Sequence, residues 1–175
     1  MRKLVTVGLS GIIAGPVLTG ASLAADMKVT IEVPKLDVAE YHRPYVAAWI
    51  ENADGGVAAN LSVWYEFKKE NHKGNKWLKD MRQWWRRAGR ELDMPVDGLS
   101  SATRPAGKHP IDFSSSAPPL AELKPGEYEL VVEAAREVGG RELVRIPFKW
   151  PAAEAFSGSA QGKDELGVVA LEIKP

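Results

Sequence analysis

The sequence predicts a mainly β chain, an immunoglobulin-like antiparallel β-sandwich with one inserted amphipathic helix. Three observations predict this fold: segments that alternate apolar and polar residues, glycine-rich tight turns between them, and a Pro-Gly turn directly before an alternating segment at Lys124–Tyr128. Connections this short bring consecutive strands together as antiparallel pairs.

The predicted strands fall into an N-terminal and a C-terminal group. Met27–Val33 alternates and ends at Pro34, as a strand with one buried face does. Asn52–Gly56 has the composition of a hairpin turn, and Gly139–Gly140 is a second tight turn. The other predicted strands are 44–50, 57–67, 128–137, 142–150 and 168–173, whereas 114–119 and 152–163 are predicted to be mobile loops.

A helical pattern interrupts the strands at Lys76–Arg90. Apolar residues recur there at helical spacing with basic residues between them, which predicts one amphipathic helix that ends at Gly89. A loop is predicted over 92–110, because three Pro and two Gly lie within it. The apolar positions of the helix are Trp77, Leu78, Met81, Trp84, Trp85 and Ala88.

The N-terminus has the organisation of a secretory signal. Two basic residues precede an apolar stretch over 4–23, and small residues follow it. We expect cleavage after Ala24 or Ala25, so that 1–25 is a signal peptide and 26–175 a single periplasmic domain; an uncleaved anchor is the alternative. No later apolar segment is long enough to span a bilayer, so we do not expect the mature chain to insert stably into a membrane.

Charge and cysteine content exclude several classes of function. Without the two basic signal residues the chain has 21 basic and 23 acidic residues, so nucleic acid is not an expected partner. The absence of Cys excludes disulfides, thiolate metal sites and a cysteine nucleophile. The three His lack metal-ligand spacing, and Gly-x-Ser-x-Gly and Ser-x-x-Lys motifs are missing, so we predict neither a metal site nor catalytic residues.

One loop segment, Asp97–Arg104, has a motif that indicates chemistry. Its sequence Asp-Gly-Leu-Ser-Ser-Ala-Thr-Arg resembles the Asp-x-x-Ser/Thr-Gly-Ala-Thr signature at which extracytoplasmic flavin transferases attach FMN to the last Thr through a phosphoester. The resemblance implies that Thr103 carries covalent FMN and that a flavin transferase is a partner. Ser101 departs from the signature, which has Gly there and therefore a less restricted backbone.

The neighbours of Thr103 suit such an attachment. Ala102 is small, so a transferase and a phosphate can approach the backbone. Asp97 and Ser100 are expected to hold the loop through hydrogen bonds between side chain and backbone. A hydroxyl-rich turn before Pro105, without any cofactor, is the alternative interpretation.

Four longer blocks of the chain resemble a family of predicted periplasmic proteins of unknown function. The resemblance implies an immunoglobulin-like fold, a flavin-attachment site and a PepSY-type membrane protein as the electron-transfer partner. No reaction follows from it. The blocks are 41–51, 76–87, 100–105 and 132–137.

Aromatic and basic side chains near the motif are candidates for contacting a flavin. Trp84 and Trp85 are adjacent helix positions that point about 100° apart, so one of them should be partly exposed or cover the loop that contains Thr103. Core packing is the alternative for each Trp. Tyr41, Arg43 and Tyr45 alternate along a strand and have either a structural role or contact with the flavin. A basic cluster that could bind the FMN phosphate or an anionic partner, or could simply be a solvated helix face, consists of Arg82, Arg86, Arg87, Arg90 and Arg104.

Together these inferences predict an electron-transfer flavoprotein that relays electrons between a membrane reductase and a periplasmic acceptor. The FMN would supply the redox chemistry, so an electron carrier is expected rather than a stand-alone enzyme. The alternative is a non-catalytic binding or adaptor module without a cofactor, which uses the Trp/Arg helix as its docking surface.

Overall fold

The structure is a computed structural model that describes residues 25–175, so the predicted signal peptide, apart from Ala25, lies outside the described residues. In the described chain three strands precede one helical region, and six strands follow it. The strands are β1 (Asp26–Val33), β2 (Tyr45–Asn52), β3 (Val57–Trp64), β4 (Ser100–Ser101), β5 (Gly107–Ser114), β6 (Gly126–Ala135), β7 (Arg141–Trp150), β8 (Phe156–Gln161) and β9 (Val168–Lys174).

The strands form two sheets that pack face to face. One has four strands in the order β5-β1-β9-β8, and the other has five in the order β4-β3-β2-β6-β7. Neighbouring strands are antiparallel except β3 and β4, which are parallel. The predicted mainly β sandwich is therefore confirmed.

The five-stranded sheet is covered on both faces, and its burial pattern shows this. In β1 of the other sheet, buried and partly exposed residues alternate because only one face is covered. In β2 six consecutive residues are buried. Val46 and Ile50 face the core between the sheets, whereas Ala47 and Trp49 belong to a second apolar cluster on the outer face.

A helical segment that follows β3 covers this outer face. It lies where the sequence predicts a helix but is interrupted. A 3-10 region spans Glu70–Asp80 and is kinked at Asn71 and His72, an α-helix, α1, spans Arg82–Arg87, and a 3-10 turn spans Gly89–Glu91. Met81 separates the first two with non-helical backbone angles of φ −76° and ψ 73°. Apolar periodicity does not reveal this break, because residues on both sides of it face the same cluster.

A buried carboxylate from the sheet fixes the start of α1. Glu133 of β6 has no exposed surface, and its oxygens accept the backbone N–H of Gln83 at 3.1 Å and of Trp84 at 2.8 Å. Arg141 of β7 donates to the same carboxylate at 2.6 Å. Since no side chain of the segment itself caps α1, Glu133 satisfies two of the free N–H groups at the start of the helix and ties the helical segment to the sheet.

The sequence analysis missed three strands. The prediction of a loop at 152–163 is wrong for β8, whose Ser- and Gly-rich sequence resembles a loop but pairs with β9 along its whole length. β5 overlaps the predicted loop at 92–110 and contains Pro110, which is tolerated because β5 is an edge strand. β4 has only two residues and no detectable period. The predicted turn at Asn52–Gly56 is confirmed, and Gly55 adopts the positive φ of 79° that it requires.

Candidate functional site

A cleft lies at the end of the five-stranded sheet where β2 begins and where β6 turns into β7. Its volume of about 730 Å³ falls within the roughly 300–1,000 Å³ of small-molecule sites. The antiparallel register brings Tyr45, Ala135 and Arg141 together at this end. The lining comes from the loop before β2, the helical segment, Thr103 and the β6–β7 hairpin, with Tyr41, Arg43, Tyr45, Trp77, Arg82 and Arg136 among its residues.

The motif segment is attached to the free edge of the same sheet. The Val63 N–H donates to the Leu99 carbonyl at 2.8 Å, and the Tyr65 N–H donates to the Ser101 carbonyl at 2.9 Å. Beyond Ser101 the chain continues over residues 102–105 without regular secondary structure. The motif is therefore paired with β3 up to Ser101, and strand pairing ends immediately before Thr103.

Thr103 is half-buried and lines the cleft, while its neighbours Ala102 and Arg104 are exposed. The small Ala102 therefore leaves the approach to Thr103 open, as the sequence analysis expects. Thr103 is the motif residue that the structure brings to the cleft.

The other motif residues have different positions. Ser100 accepts the Val96 N–H at 2.9 Å and so fixes the preceding turn, as predicted for a side-chain to backbone bond. Asp97 is exposed in that turn, and its carboxylate makes no hydrogen bond among residues 25–175. Arg104 lies over the Trp64 ring, 5.4 Å from its centroid, and does not line the cleft. Ser101 has a buried hydroxyl without a hydrogen-bond partner in the described chain.

Trp84 and Trp85 belong to α1, and their side chains pack towards the sheet rather than into the cleft. Trp84 is fully buried in the outer cluster, and its indole N–H donates to Asn60 at 3.0 Å. Trp85 is partly buried against the same cluster, with its ring centroid 6.4 Å from that of Trp84. One of the pair is thus partly exposed, as predicted, but neither lines the cleft.

The aromatic wall of the cleft comes from other residues. Trp77 is partly buried, and the ammonium groups of Lys76 and Lys69 lie 4.1 Å and 4.8 Å from its ring centroid. Tyr45 donates to the Gly74 carbonyl at 3.2 Å, and burial raises its pKa to about 12, so it stays neutral. Tyr41 is 39% exposed. These side chains offer apolar area with polar edges to a flat ligand.

On the opposite side of the cleft, two arginines form ion pairs with carboxylates, and, within the described chain, two others are free to bind an anion. Arg136 and the buried Glu165 form a bidentate pair at 2.7 Å and 3.0 Å, and this hydrogen bonding raises the pKa of Arg136 above its ordinary value. Arg141 is engaged by Glu133. Among the described residues Arg43 and Arg82 have no carboxylate partner, so both can bind an anion in the cleft.

Sequence reasoning did not single out the β6–β7 hairpin as part of the site, and it preferred Trp84 and Trp85 to Trp77 as candidates for contacting a flavin. The sequence contains the periodicity that places Trp77 on a helical segment and the glycines that mark the hairpin. It contains no local signal that brings these two segments beside Thr103, because the sheet register makes that connection.

Comparison with known proteins shows to which family the chain belongs. Residues 26–168 match the family described as predicted periplasmic protein (DUF2271). The chain belongs to DUF2271. No curated protein and no solved structure matches it. Between residues 25 and 175 no helix is sufficiently long and apolar to span a bilayer. The description of DUF2271 gives a location and no activity, so the function has to be argued from the cleft.

Proposed function

We propose that this protein is an extracytoplasmic flavoprotein that carries FMN on Thr103 through a phosphoester and relays electrons between a membrane reductase and a periplasmic acceptor. One observation carries the proposal: Thr103 lies on a free stretch of backbone at the rim of the cleft. A hydroxyl in this position is accessible to a modifying enzyme, and a group attached to it has a cleft to occupy.

The attachment requires an activated phosphate, such as the pyrophosphate of FAD bound by a flavin transferase. The Thr103 oxygen forms the new bond to the FMN phosphorus, the pyrophosphate bond breaks, and AMP leaves with the bridging oxygen. The hydroxyl proton is released. Ala102 and the exposed backbone around it give the transferase access.

The residues of the cleft fit both ends of FMN. Arg43 and Arg82 supply cations without carboxylate partners, which suits a phosphate. Tyr41, Tyr45 and Trp77 supply aromatic surface, which suits the ring system. When bound, FMN supplies reversible electron transfer, and the protein sets its exposure and surrounding charge. The ammonium groups beside Trp77 would favour uptake of electrons in the cleft.

The rim of the cleft also suits a transient electron-transfer partner. The large hydrophobic residues exposed in the described chain include Tyr41 and Val138, and both line the cleft. Val138 is 75% exposed at the tip of the β6–β7 hairpin with a positive φ of 53°. A small apolar rim of this kind supports brief docking rather than a permanent interface.

The mass of the exported protein tests the attachment. We expect protein produced with its N-terminal region and a flavin transferase to exceed the processed polypeptide by one FMN minus water, and to be yellow. Thr103→Val removes the hydroxyl but keeps the shape, so it should abolish both signals. Thr103→Ser retains a hydroxyl and should keep part of the increment. Intact-mass spectrometry and the flavin absorbance provide the readouts.

A wild-type protein at the unmodified mass, in cells whose transferase modifies a known substrate protein, would contradict the proposal. The adaptor module without a cofactor would then be the better explanation. Its suggested docking surface would have to be basic rather than aromatic, because Trp84 is buried and Trp85 partly so.

The intact mass of the exported protein also identifies the residue at which the mature chain begins. We propose that the signal peptide is cleaved after Ala24. Ala25 is fully buried in the core, and its backbone N–H donates to the Ser115 hydroxyl at 2.9 Å. Cleavage after Ala24 retains this residue and has small residues, Ser22 and Ala24, at the two positions that signal peptidases select. A mature chain that begins at Asp26 would contradict this choice.

A further inference from the structure

Positive charge is concentrated on the helical segment. Between Lys68 and Arg90 the chain has nine basic and two acidic residues, whereas the rest of residues 25–175 has twelve basic and twenty-one acidic residues. A domain with a small net negative charge therefore has one strongly cationic region. The basic residues are Lys68, Lys69, Lys73, Lys76, Lys79, Arg82, Arg86, Arg87 and Arg90.

All nine of these side chains are exposed, and we call the surface that they form the cationic face. Its apolar residues point the other way: Leu78, Met81 and Trp84 are buried in the outer cluster of the five-stranded sheet. Salt bridges within the described chain engage Lys69 with Glu66 and Arg90 with Glu91. Most of the positive charge on this face is therefore available to an external anion.

We propose that the cationic face docks on the anionic phospholipid headgroups of a membrane surface. Clustered Lys and Arg side chains are attracted to such headgroups without any need for shape complementarity. The periplasmic location of the DUF2271 family places such surfaces within reach. The contact would be peripheral, because the apolar side of the segment packs on the sheet.

Composition argues for lipid rather than an acidic protein. The core of a protein interface is enriched in aromatic residues and depleted in Lys, but five of the nine cations here are Lys. The large hydrophobic residues exposed in the described chain are Val38, Tyr41 and Val138, and none of them belongs to the cationic face. The cationic face, as the structure describes it, thus has charge but no exposed apolar side chain of this size. Lipid headgroups can rearrange around such a face, so no fixed complementary surface is needed.

Docking through this face would also orient the cleft. Trp77 and Arg82 belong to the helical segment and line the cleft, so the two surfaces are contiguous. A protein bound through the cationic face would hold the cleft close to the membrane, where a membrane reductase is located. This consequence rests on the proposed function, whereas lipid binding itself does not require FMN.

Vesicle flotation tests the inference with the exported, processed protein. We expect binding to phosphatidylcholine vesicles that contain phosphatidylglycerol, no binding to pure phosphatidylcholine, and loss of binding as salt is added. The combined reversal Lys68→Glu, Lys73→Glu and Lys79→Glu should weaken binding by about a hundredfold or more. These lysines are exposed and do not line the cleft.

A matched variant separates the cationic face from net charge. Lys35→Glu, Lys108→Glu and Lys124→Glu make the same charge change at exposed lysines outside the helical segment, and should leave binding within about threefold of wild type. Circular dichroism should show both triple variants to be folded. If the triple variant of the cationic face is not folded, the single reversals Lys73→Glu and Lys79→Glu replace it, each with a loss of about fivefold. If the matched triple is not folded, the single reversals Lys35→Glu and Lys124→Glu replace that control.

Three outcomes would overturn the inference: equal binding to both vesicle types, no binding at low salt, or an equal loss in the matched variant. Binding to soluble polyglutamate but not to vesicles would also overturn it, in favour of an acidic protein partner. Because the assay does not depend on flavin, lipid binding without FMN attachment would contradict the proposed function alone.

Discussion

The two faces of the five-stranded sheet are held by different kinds of interaction. The inner face packs on the four-stranded sheet through aliphatic residues such as Val46, Ile50 and Leu130. The outer face packs on the helical segment through aromatic residues and through the buried carboxylate of Glu133. The inner interface makes the sandwich, and the outer interface positions the segment that forms one wall of the cleft.

The two interfaces differ in how precisely they fix the position of the element that packs on the sheet, because apolar contacts are non-directional and hydrogen bonds to a carboxylate are directional. Aliphatic packing is non-directional and tolerates adjustment. A buried carboxylate has to find its donors at defined distances, since leaving it unpaired is costly. Glu51 illustrates this: it accepts from the Trp49 indole at 2.9 Å and from Arg145 at 2.7 Å. Glu133 acts in the same way nearer the cleft: its hydrogen bonds fix how α1 lies on the outer face, and its partner Arg141 lines the cleft. Substitutions can therefore separate the two interfaces.

The largest expected effect follows removal of the carboxylate that anchors α1. Glu133→Ala leaves two helix N–H groups and Arg141 without their partner, and should reduce the free energy of unfolding by about 4 kcal/mol. Because α1 loses its anchor to the sheet, Trp84 should become more exposed, and the combined fluorescence of the six Trp should shift towards that of exposed indole. Urea unfolding followed by fluorescence measures both. Glu127→Ala, at a residue that is 74% exposed in its side chain, is the control and should change stability by under about 1 kcal/mol.

A substitution on the inner face of β6 tests whether the inner and outer interfaces of the sheet are independent. Leu130→Ala should reduce the free energy of unfolding by about 3 kcal/mol, because it opens a cavity between the sheets. The native Trp emission of the folded protein and, with a transferase present, the yield of modified protein should remain at the wild-type level. A loss of the native Trp emission in this variant would show that the two interfaces are not independent.

Glu142 provides a pH-dependent test of a polar anchor near the hairpin. Burial opposes ionisation of this carboxylate, but hydrogen bonds from the backbone N–H groups of residues 163–166 outweigh that cost and lower its pKa. The resulting stability is present above the pKa of the unfolded chain, about 4.3, and is lost as the pH falls through the lower pKa of the folded state.

The neutral variant Glu142→Gln should therefore be less stable than wild type by about 2 kcal/mol at pH 7. The difference should shrink below about pH 4, where the wild-type carboxylate also becomes protonated. Thermal unfolding at a series of pH values measures it. A difference that stays constant down to pH 2 would mean that the ionised form of Glu142 does not support the loop.

The smallest expected effect concerns the position at which the motif departs from the signature. Ser101→Gly removes a buried hydroxyl without a partner and costs some strand stability, so the free energy of unfolding should change by under about 1 kcal/mol. If the Ser side chain restricts the backbone before Thr103, the variant should be modified faster when transferase is limiting. The fraction modified over time, from intact mass, measures this. Ser100→Gly is the control and should not accelerate attachment, because it loses the bond from Val96.

The parts of the fold and site that were predictable have local signals. β1 was predictable because one-sided burial leaves an alternating pattern, and the turn at Asn52–Gly56 because few residues favour its backbone. β8 was not predictable, since its strand state depends on pairing with β9 rather than on its own residues. Thr103 could be singled out because its motif is contiguous. Trp84 could not be assigned to the core or the cleft, because periodicity says which face a residue shares but not what covers that face.

By itself, the sequence determined which segments alternate, where the helical segment lies, which hydroxyl ends the Asp97–Thr103 motif, and where positive charge accumulates. Only the tertiary structure decided that the loop before β2, Trp77 and the β6–β7 hairpin meet beside Thr103, and that all nine cations of the helical segment point outwards. The physical reason is that strand register and buried ion pairs join residues that are distant along the chain, whereas sequence patterns report only on neighbours.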